Sequence, residues 1–394
     1  MSWLTSREMG GLGVIDLSHP PSSLLGIIKR VGRRFRKHTV QMRKREDAGY
    51  MKIGLFRTLV VALLFFAWGQ PARADGISDF YAGKTVKIVI GTAAGGTYDL
   101  YARTIARHVG KYIPGHPAVI VQNMPGAASY AAALNVFSIA PQDGTVIGAI
   151  ASALPYQPLF DPNAPKLDVS RVNWLPSPST FTVVMVVRTD LPVKSLEDLQ
   201  RHPTVMATMS PGQLPSLIVA ATNETLGTKI KGVNGHPGMN EAVVAIERGE
   251  LDGYPSIPAD ALKKMFARLM TDDKLRVLLQ YGPAPSPDYP NAPYAVDLTK
   301  NPADRMLLDL AQAPLKSGYT YMMGPNVPKD RIEALRAAFS ATYKDPEFMA
   351  DAERQVLNVE PVSADKVQQL IADAYQSPKD VVDRMRALYA RLFQ

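Results

Sequence analysis

The apolar positions of "KTVKIVIGTAAGG" alternate through Val86, Ile88 and Ile90 in a β-branched run that halts at glycine, the pattern of a buried strand. Tyr101, Ile105, Val109 and Tyr112 then recur at helical spacing with Ala102 and Ala106 beside them, and Pro114-Gly115 ends the stripe. "AVIVQN" repeats the strand signal, "MPGAAS" is a small-residue turn, "YAAALNVFSIA" reads as a helix, and "GTVIGAI" follows Asp143-Gly144 as a third strand. Strands alternating with helices in this way predict a parallel sheet covered on both faces.

The alternation starts again at Val183 to Val187, where Ser195 and Asp198 then form a helix N-cap and its reciprocal partner. "TVMATM" reads as a strand, "SPGQLPS" as a turn, "LIVAATNETLG" as a helix, and "KIKGVNGHPGMNEAVVAIERGELDGY" as strand, loop, helix and turn. The tail adds a strand at Tyr319 to Met323 and helices starting near Pro328, Pro346, Ser363 and Ser377. Those helices need a sheet to cover, and packing them on the first lobe makes the backbone cross between lobes near residues 183 and 317, a hinge geometry.

The formal net charge of +8 is confined to the front of the chain. Residues 1–74 hold 13 Lys and Arg against 4 Asp and Glu, and the remainder holds 31 against 32. No basic face suited to phosphate neutralisation follows residue 75, so no nucleic-acid partner is expected. In "MKIGLFRTLVVALLFFAWGQPARADG", Lys52 and Arg57 precede an apolar run from Leu59 to Trp68 and then Ala72-Arg73-Ala74, a secretory signal peptide over 51–74 with cleavage expected after Ala74. The run is about half of the roughly 20 residues that a spanning helix needs. Met51 therefore reads as the true start, and residues 1–50 as a misassigned, disordered upstream extension. Arg33-Arg34 as a twin-arginine signal stands too far from the apolar run. With no cysteine, the mature chain is expected in the periplasm without disulfides or a lipid-modified cysteine.

Gly91 to Asp99 and Asn123 to Ser129 both place small residues where a strand hands over to a helix start. Ligands bind there in open parallel sheets, and helix N-termini attract anions. The loop has neither Gly-Lys-Ser/Thr nor the G-x-G-x-x-G spacing, so a nucleotide is poorly supported.

"IVIGTAAGGTYDLYARTIARHVGKYIPGHPAVIVQNMPGAAS", "GHPGMNEAVVAIERGELDG" and "GPNVPKDRIEALRAAFSATYKDPEFMADA" occur in an order and spacing that resemble the periplasmic receptors of tripartite tricarboxylate transporters, the Bug or TctC type. The resemblance covers nearly all of residues 75–394. It implies an α/β type II periplasmic binding protein, a Venus flytrap whose two lobes are mostly parallel sheets flanked by helices and joined by two hinge crossings. Lobe 1 would hold residues 75–182 plus 318–394 and lobe 2 residues 183–317. It implies capture of a small organic carboxylate and delivery to membrane permease subunits, by a monomer needing no cofactor or metal.

Carried over by position, the first ligand loop is Gly91, Thr92, Ala93, Ala94, Gly95, Gly96, Thr97, Tyr98 and Asp99. The second is Asn123, Pro125, Gly126, Ala127, Ala128 and Ser129, with Ser152 beside the third strand. Lobe 2 would contribute Ser210, Gly212, Gln213, Asn234, His236 and Tyr254. Asp99 could orient its loop, accept a ligand hydroxyl or cap its helix, while Tyr98 is expected over the ligand and Tyr101 in the core. His236 reads either as a donor to an anion or as a solvated loop histidine. Pro211 and Pro215 depart from the family pattern and remove backbone donors, so Gln213 or Ser210 is expected to replace them.

An enzyme would need groups that are missing here: a G-x-S-x-G elbow, H-E-x-x-H or a cysteine nucleophile, and His108, His116, His202 and His236 suggest no triad or metal site. A receptor read by a signalling partner instead of a permease is the alternative.

Overall fold

The computed structural model describes residues 75–392, except 209–211, 237–238, 261 and 263–265. The expected extension, signal peptide and Ser210 lie outside the described residues. Among them, no helix is long and apolar enough to cross a membrane.

Helix α1 (Asp75–Tyr81) leads into β1 (Thr85–Ile90), α2 (Thr97–Val109), β2 (Ala118–Asn123), α3 (Tyr130–Leu134), β3 (Val146–Ile150), α4 (Gln157–Phe160) and β4 (Asn173–Leu175). The chain continues through β5 (Val183–Arg188), α5 (Leu196–Arg201), β6 (Thr204–Ala207), α6 (Leu214–Leu226), β7 (Ile230–Val233), α7 (Met239–Glu247), β8 (Gly253–Pro258), α8 (Ala267–Thr271) and β9 (Leu275–Tyr281). It ends with α9 (Pro302–Ala311), α10 (Ala313–Ser317), β10 (Thr320–Met323), α11 (Lys329–Thr342), α12 (Pro346–Arg354), α13 (Ala364–Tyr375) and α14 (Lys379–Arg391). Two five-stranded sheets result, in the orders β2-β1-β3-β10-β4 and β7-β6-β8-β5-β9.

Both sheets are mixed yet mostly parallel, as expected: in each, four strands run one way and a single strand, β10 or β5, runs against them. Pairs β1/β2, β1/β3, β6/β7 and β6/β8 are parallel, whereas β10 runs antiparallel to β3 and β4, and β5 antiparallel to β8 and β9. The reason is where these two strands come from. Each arrives from the other sheet and enters at the carboxyl edge of the parallel strands, so it must run against them. The passages lie side by side: the Tyr319 N–H donates to the Ser179 carbonyl at 3.3 Å. Gly318 has φ +71°, and a Cβ there would overlap that carbonyl, so only glycine fits.

The α2 stripe buries Tyr101, Ile105 and Val109 against Ile88, Ile90 and Tyr321 of the first sheet. A second core lies inside the β5–β9 sheet. The third joins the two: Val89 and Met322 of one sheet and Val187 and Met206 of the other belong to one apolar body that also takes in Leu217, Leu308 and Met385. Helix α14, expected on the first lobe alone, packs on α4 and also on α6 and α9. Its Arg391 reaches Glu224 of α6 at 3.0 Å, and its Arg384 reaches Asp304 of α9 at 2.7 Å.

Candidate functional site

The carboxyl ends of β1, β2 and β3 stand side by side, so the loops after Ile90, Asn123 and Ile150 form one surface. The N-cap of α2 is Gly96, with no side-chain bond, and the first intrahelical bond runs from Leu100 N–H to Gly96 O at 3.0 Å. The amide groups of the first turn therefore point out of the loop with the positive end of the helix dipole.

Asp99 settles into one of its three expected roles. It is 3% exposed, and its carboxylate accepts from Gly95 N–H at 2.9 Å, Arg103 Nε at 2.9 Å and Asn123 Nδ2 at 2.8 Å. Arg103 Nη2 in turn donates to Asn123 Oδ1 at 2.8 Å, and Asn123 Nδ2 also reaches Thr92 O at 3.1 Å. Burial pushes the Asp99 carboxyl up, but the bonds from Arg103, Gly95 and Asn123 together hold it below its ordinary range. It orients the loop; it is not the N-cap.

The second loop is locked just as closely. Gly126 has φ +141°, and Ala127, Ala128 and Ser129 have φ of +45°, +52° and +79°, a left-handed run costly for residues with a Cβ. Ser129 Oγ donates to Gly91 O at 2.8 Å and accepts from Ala151 N–H at 3.1 Å, so one hydroxyl ties all three strand ends together. A Cβ on Gly91 would lie 2.6 Å from that oxygen. Ser152 donates its N–H to the Tyr98 hydroxyl at 3.0 Å.

Tyr98 belongs to an aromatic wall. Tyr319 packs on Tyr98, Tyr101 and Phe181 with ring centroids 5.0, 4.2 and 4.8 Å away, the Phe181 pair being stacked. Tyr101 is core, as its stripe implies, and its hydroxyl donates to Asn358 O at 2.6 Å. Phe181 has no sequence signal, and Tyr319 is read only as the start of a strand, because each stands in a crossing segment whose partners are distant in the chain.

In the second sheet, Asn234 Oδ1 accepts from Thr208 Oγ1 at 2.7 Å, joining the loops after β6 and β7. Gly212, at φ +80°, rests against the Tyr389 ring of α14, and its carbonyl accepts from Gln157 Nε2 of α4 at 3.3 Å. Gln213 is the N-cap of α6 without a side-chain bond. Tyr254 is not in a cleft: β8 continues through Gly253 into Tyr254, whose ring is 1% exposed within the second sheet's core. The glycine at 253 signals strand packing, because a Cβ there would overlap Val186 O, and the sequence alone reads it as a turn.

Two polar atoms of these loops are buried without a hydrogen-bond partner: Thr92 Oγ1 after β1 and His236 Nδ1 after β7. Elsewhere, His108, Asp345 and Glu347 cluster closely enough to hold a metal, but the Lys111 ammonium sits 2.6 Å from Asp345 Oδ2 and 2.7 Å from Glu347 Oε2. A lysine already neutralises that group. Beside the aromatic wall opens a cavity of about 990 Å³ whose lining includes Phe181, Asp260 and Asn358 and none of the residues expected from the sequence.

The arrangement can hold an anion by neutral donors, and Arg103 beside the first loop is already engaged by Asp99 and Asn123. No family model matches the chain. A UPF0065 protein of Cupriavidus necator is 29% identical over 58% of this chain and 68% of its own length, and one of Bordetella bronchiseptica is 25% identical over 66% and 77%. Among solved structures, a Polaromonas TctC solute-binding protein aligns with a TM-score of 0.57 at 16% identity, over 79% of this chain and 99% of its own. Rhodopseudomonas palustris MatC with bound malate gives 0.57 at 17%, over 78% and 99%, and an R. palustris protein with adipate gives 0.58 at 16%, over 77% and 97%. The chain has the two-domain α/β fold of the TctC and Bug-type periplasmic solute-binding proteins.

Proposed function

We propose that the chain is a periplasmic receptor that captures a small organic carboxylate between its two lobes and delivers it to a tripartite tricarboxylate-type permease. One observation carries this reading: the two partnerless buried polar atoms, Thr92 Oγ1 and His236 Nδ1, belong one to each lobe's strand-end loops. A buried polar group without a partner costs about 1–3 kcal/mol, so a ligand that supplies acceptors to both lobes recovers that cost on closure. The α2 amides add donors, each charge-assisted bond being worth roughly 1.5–3 kcal/mol. Micromolar affinity needs about −8 kcal/mol net, within reach of a few such bonds without an arginine clamp. Malate and adipate, seen in two proteins of this fold, set the scale of ligand to try first.

A thermal-shift screen of the chain against mono-, di- and tricarboxylates, aromatic acids and nucleotides tests this. A ligand at 100 times its Kd stabilises by about 2.7 kcal/mol. A concentration-dependent rise with one acid class is expected, and a rise with nucleotides alone would sink the reading. Thr92→Val and His236→Phe should each weaken that acid at least tenfold by calorimetry.

A further inference from the structure

Asn234 is the one asparagine of the sequence that a glycine follows. It leaves the second sheet just past the last ladder pair, Ala207 with Val233, where the bond from Thr208 N–H to Val233 O at 2.9 Å closes the pairing. Asn234 and Gly235 are both exposed, and the Gly235 N–H donates to no described residue. Gly235 has φ +105°, and a Cβ placed on it would meet nothing within 4 Å, so the backbone there has room to turn. The asparagine side chain is held at one end only: Oδ1 accepts from Thr208 Oγ1 at 2.7 Å, while Nδ2 donates to no described residue. The other asparagine of the expected site is the opposite case. Asn123 precedes Met124, its Nδ2 donates to Thr92 O and Asp99 Oδ1, and its Oδ1 accepts from Arg103.

We infer that Asn234 with Gly235 is a site of spontaneous deamidation that charges the second lobe's half of the expected cleft. The Gly235 amide nitrogen attacks Asn234 Cγ, its proton passes to water, the Cγ–Nδ2 bond breaks and ammonia leaves, which closes a succinimide ring. Water then opens the ring at either carbonyl, to aspartate or to isoaspartate. The net change is one water taken up and one ammonia released, with no oxidation or reduction. Three features of the site favour it. The reacting atoms belong to adjacent residues of one chain, so the attack is intramolecular. The glycine has no side chain to obstruct ring closure, and its amide is not tied up. The Thr208 hydroxyl stands on the side-chain carbonyl oxygen, where negative charge grows as the nitrogen adds. Either product replaces a neutral amide by a carboxylate beside Thr208, and isoaspartate also lengthens the backbone by one carbon just ahead of His236. The consequence for binding rests on the carboxylate reading: a fixed negative charge on that loop repels an acid ligand, so the receptor carries a slow, one-way loss of affinity in its own sequence.

The test ages the purified chain for days at neutral and at mildly alkaline pH and digests it with trypsin, which releases Gly232–Arg248. Mass spectrometry of that peptide should show NH exchanged for O, placed at Asn234 by fragmentation, with isoaspartate reported by an isoaspartate-specific methyltransferase. Conversion should be faster at alkaline pH, because the attacking nitrogen must lose its proton, and roughly tenfold or more faster than at Asn240, which precedes Glu241 in the same peptide. Thr208→Val should slow it severalfold, and Asn234→Gln, which would have to close a larger ring, should not convert. Calorimetry with malate and adipate follows binding. The acid that the fresh chain holds should lose roughly tenfold in affinity on ageing, Asn234→Asp should show that loss from the start, and Asn234→Gln should keep its initial value over the same days. An unchanged peptide, or conversion at Asn240 as fast as at Asn234, overturns the inference even where an acid binds, and conversion with undiminished affinity overturns its consequence. A fresh chain that holds neither acid counts against the carboxylate reading instead, and conversion at Asn234 then upholds the site alone.

Discussion

The two halves of the expected cleft are built differently. The loops of the first sheet are held by their own lobe: Asp99 gathers donors from Gly95, Arg103 and Asn123, and Ser129 Oγ ties Gly91 to Ala151. In the second sheet the described loop at Gly212 leans on Gln157 of α4 and Tyr389 of α14, elements that also serve the first lobe. One half is preorganised, and the other takes its shape from contact across the lobes. A ligand held on the first half therefore meets fixed donors, and the second half supplies the element that responds.

Four expected outcomes would break or sharpen this contrast. Asp99→Ala should have the largest effect, about 2 kcal/mol of stability, because it takes a nearly buried acceptor from the Gly95 N–H and from Asn123, while the partly exposed Arg103 can turn to water. Urea unfolding measures it, and a loss in affinity without a loss in stability would show that the network does not hold the loop. The three donors on Asp99 mean that affinity and stability fall together. Next, Gly91→Ala should cost about 2 kcal/mol by overpacking against Ser129, with ligand affinity falling in parallel.

Gly212→Ala comes third, at about 1.5 kcal/mol for a Cβ placed in the left-handed region and against Tyr389. Its affinity loss should be partly recovered in the double variant with Tyr389→Leu. A strictly additive double-mutant cycle would mean that the second half is not positioned through α14, and the contrast would fail.

The smallest effect is a pH dependence. Burial raises the Asp351 carboxyl, but Arg107 and His108 outweigh it and hold it at about 2, below its ordinary 3.8. A depressed carboxylate contributes stability above its unfolded value and loses it as pH falls, so about 1 kcal/mol should disappear between pH 4 and 2 and be absent in Asp351→Asn. Midpoints that fall equally in both proteins would place the acid sensitivity elsewhere.

The repeating units were legible because each depends on local pattern: the alternation at Val86 to Ile90 and the stripe from Tyr101 to Val109 both lie where expected. The Ser195–Asp198 cap was legible too, although the Asp198 carboxylate takes the Lys194 amide at 2.9 Å. What was not legible depends on distant partners. Nothing local distinguishes Gly253 in a strand from a glycine in a turn, so Tyr254 reads as a cleft residue until Val186 is seen packed against its neighbour. The antiparallel sense of β5 and β10, the Tyr319 wall and the pairing of Gly212 with Tyr389 share that cause.

Strand β10 lies between β3 and β4 and, among the described residues, is the only strand that pairs with β4. Thr320 caps Ile150 from 170 residues away. During synthesis, therefore, the first sheet has an unfilled slot and two open edges until the second sheet's residues have been made and the chain has turned back. Such edges are templates for wrong pairing, and closing so long a loop is slow. A chain of this topology completes its first-made half last, and the interval before that is when it most needs to be kept from its neighbours.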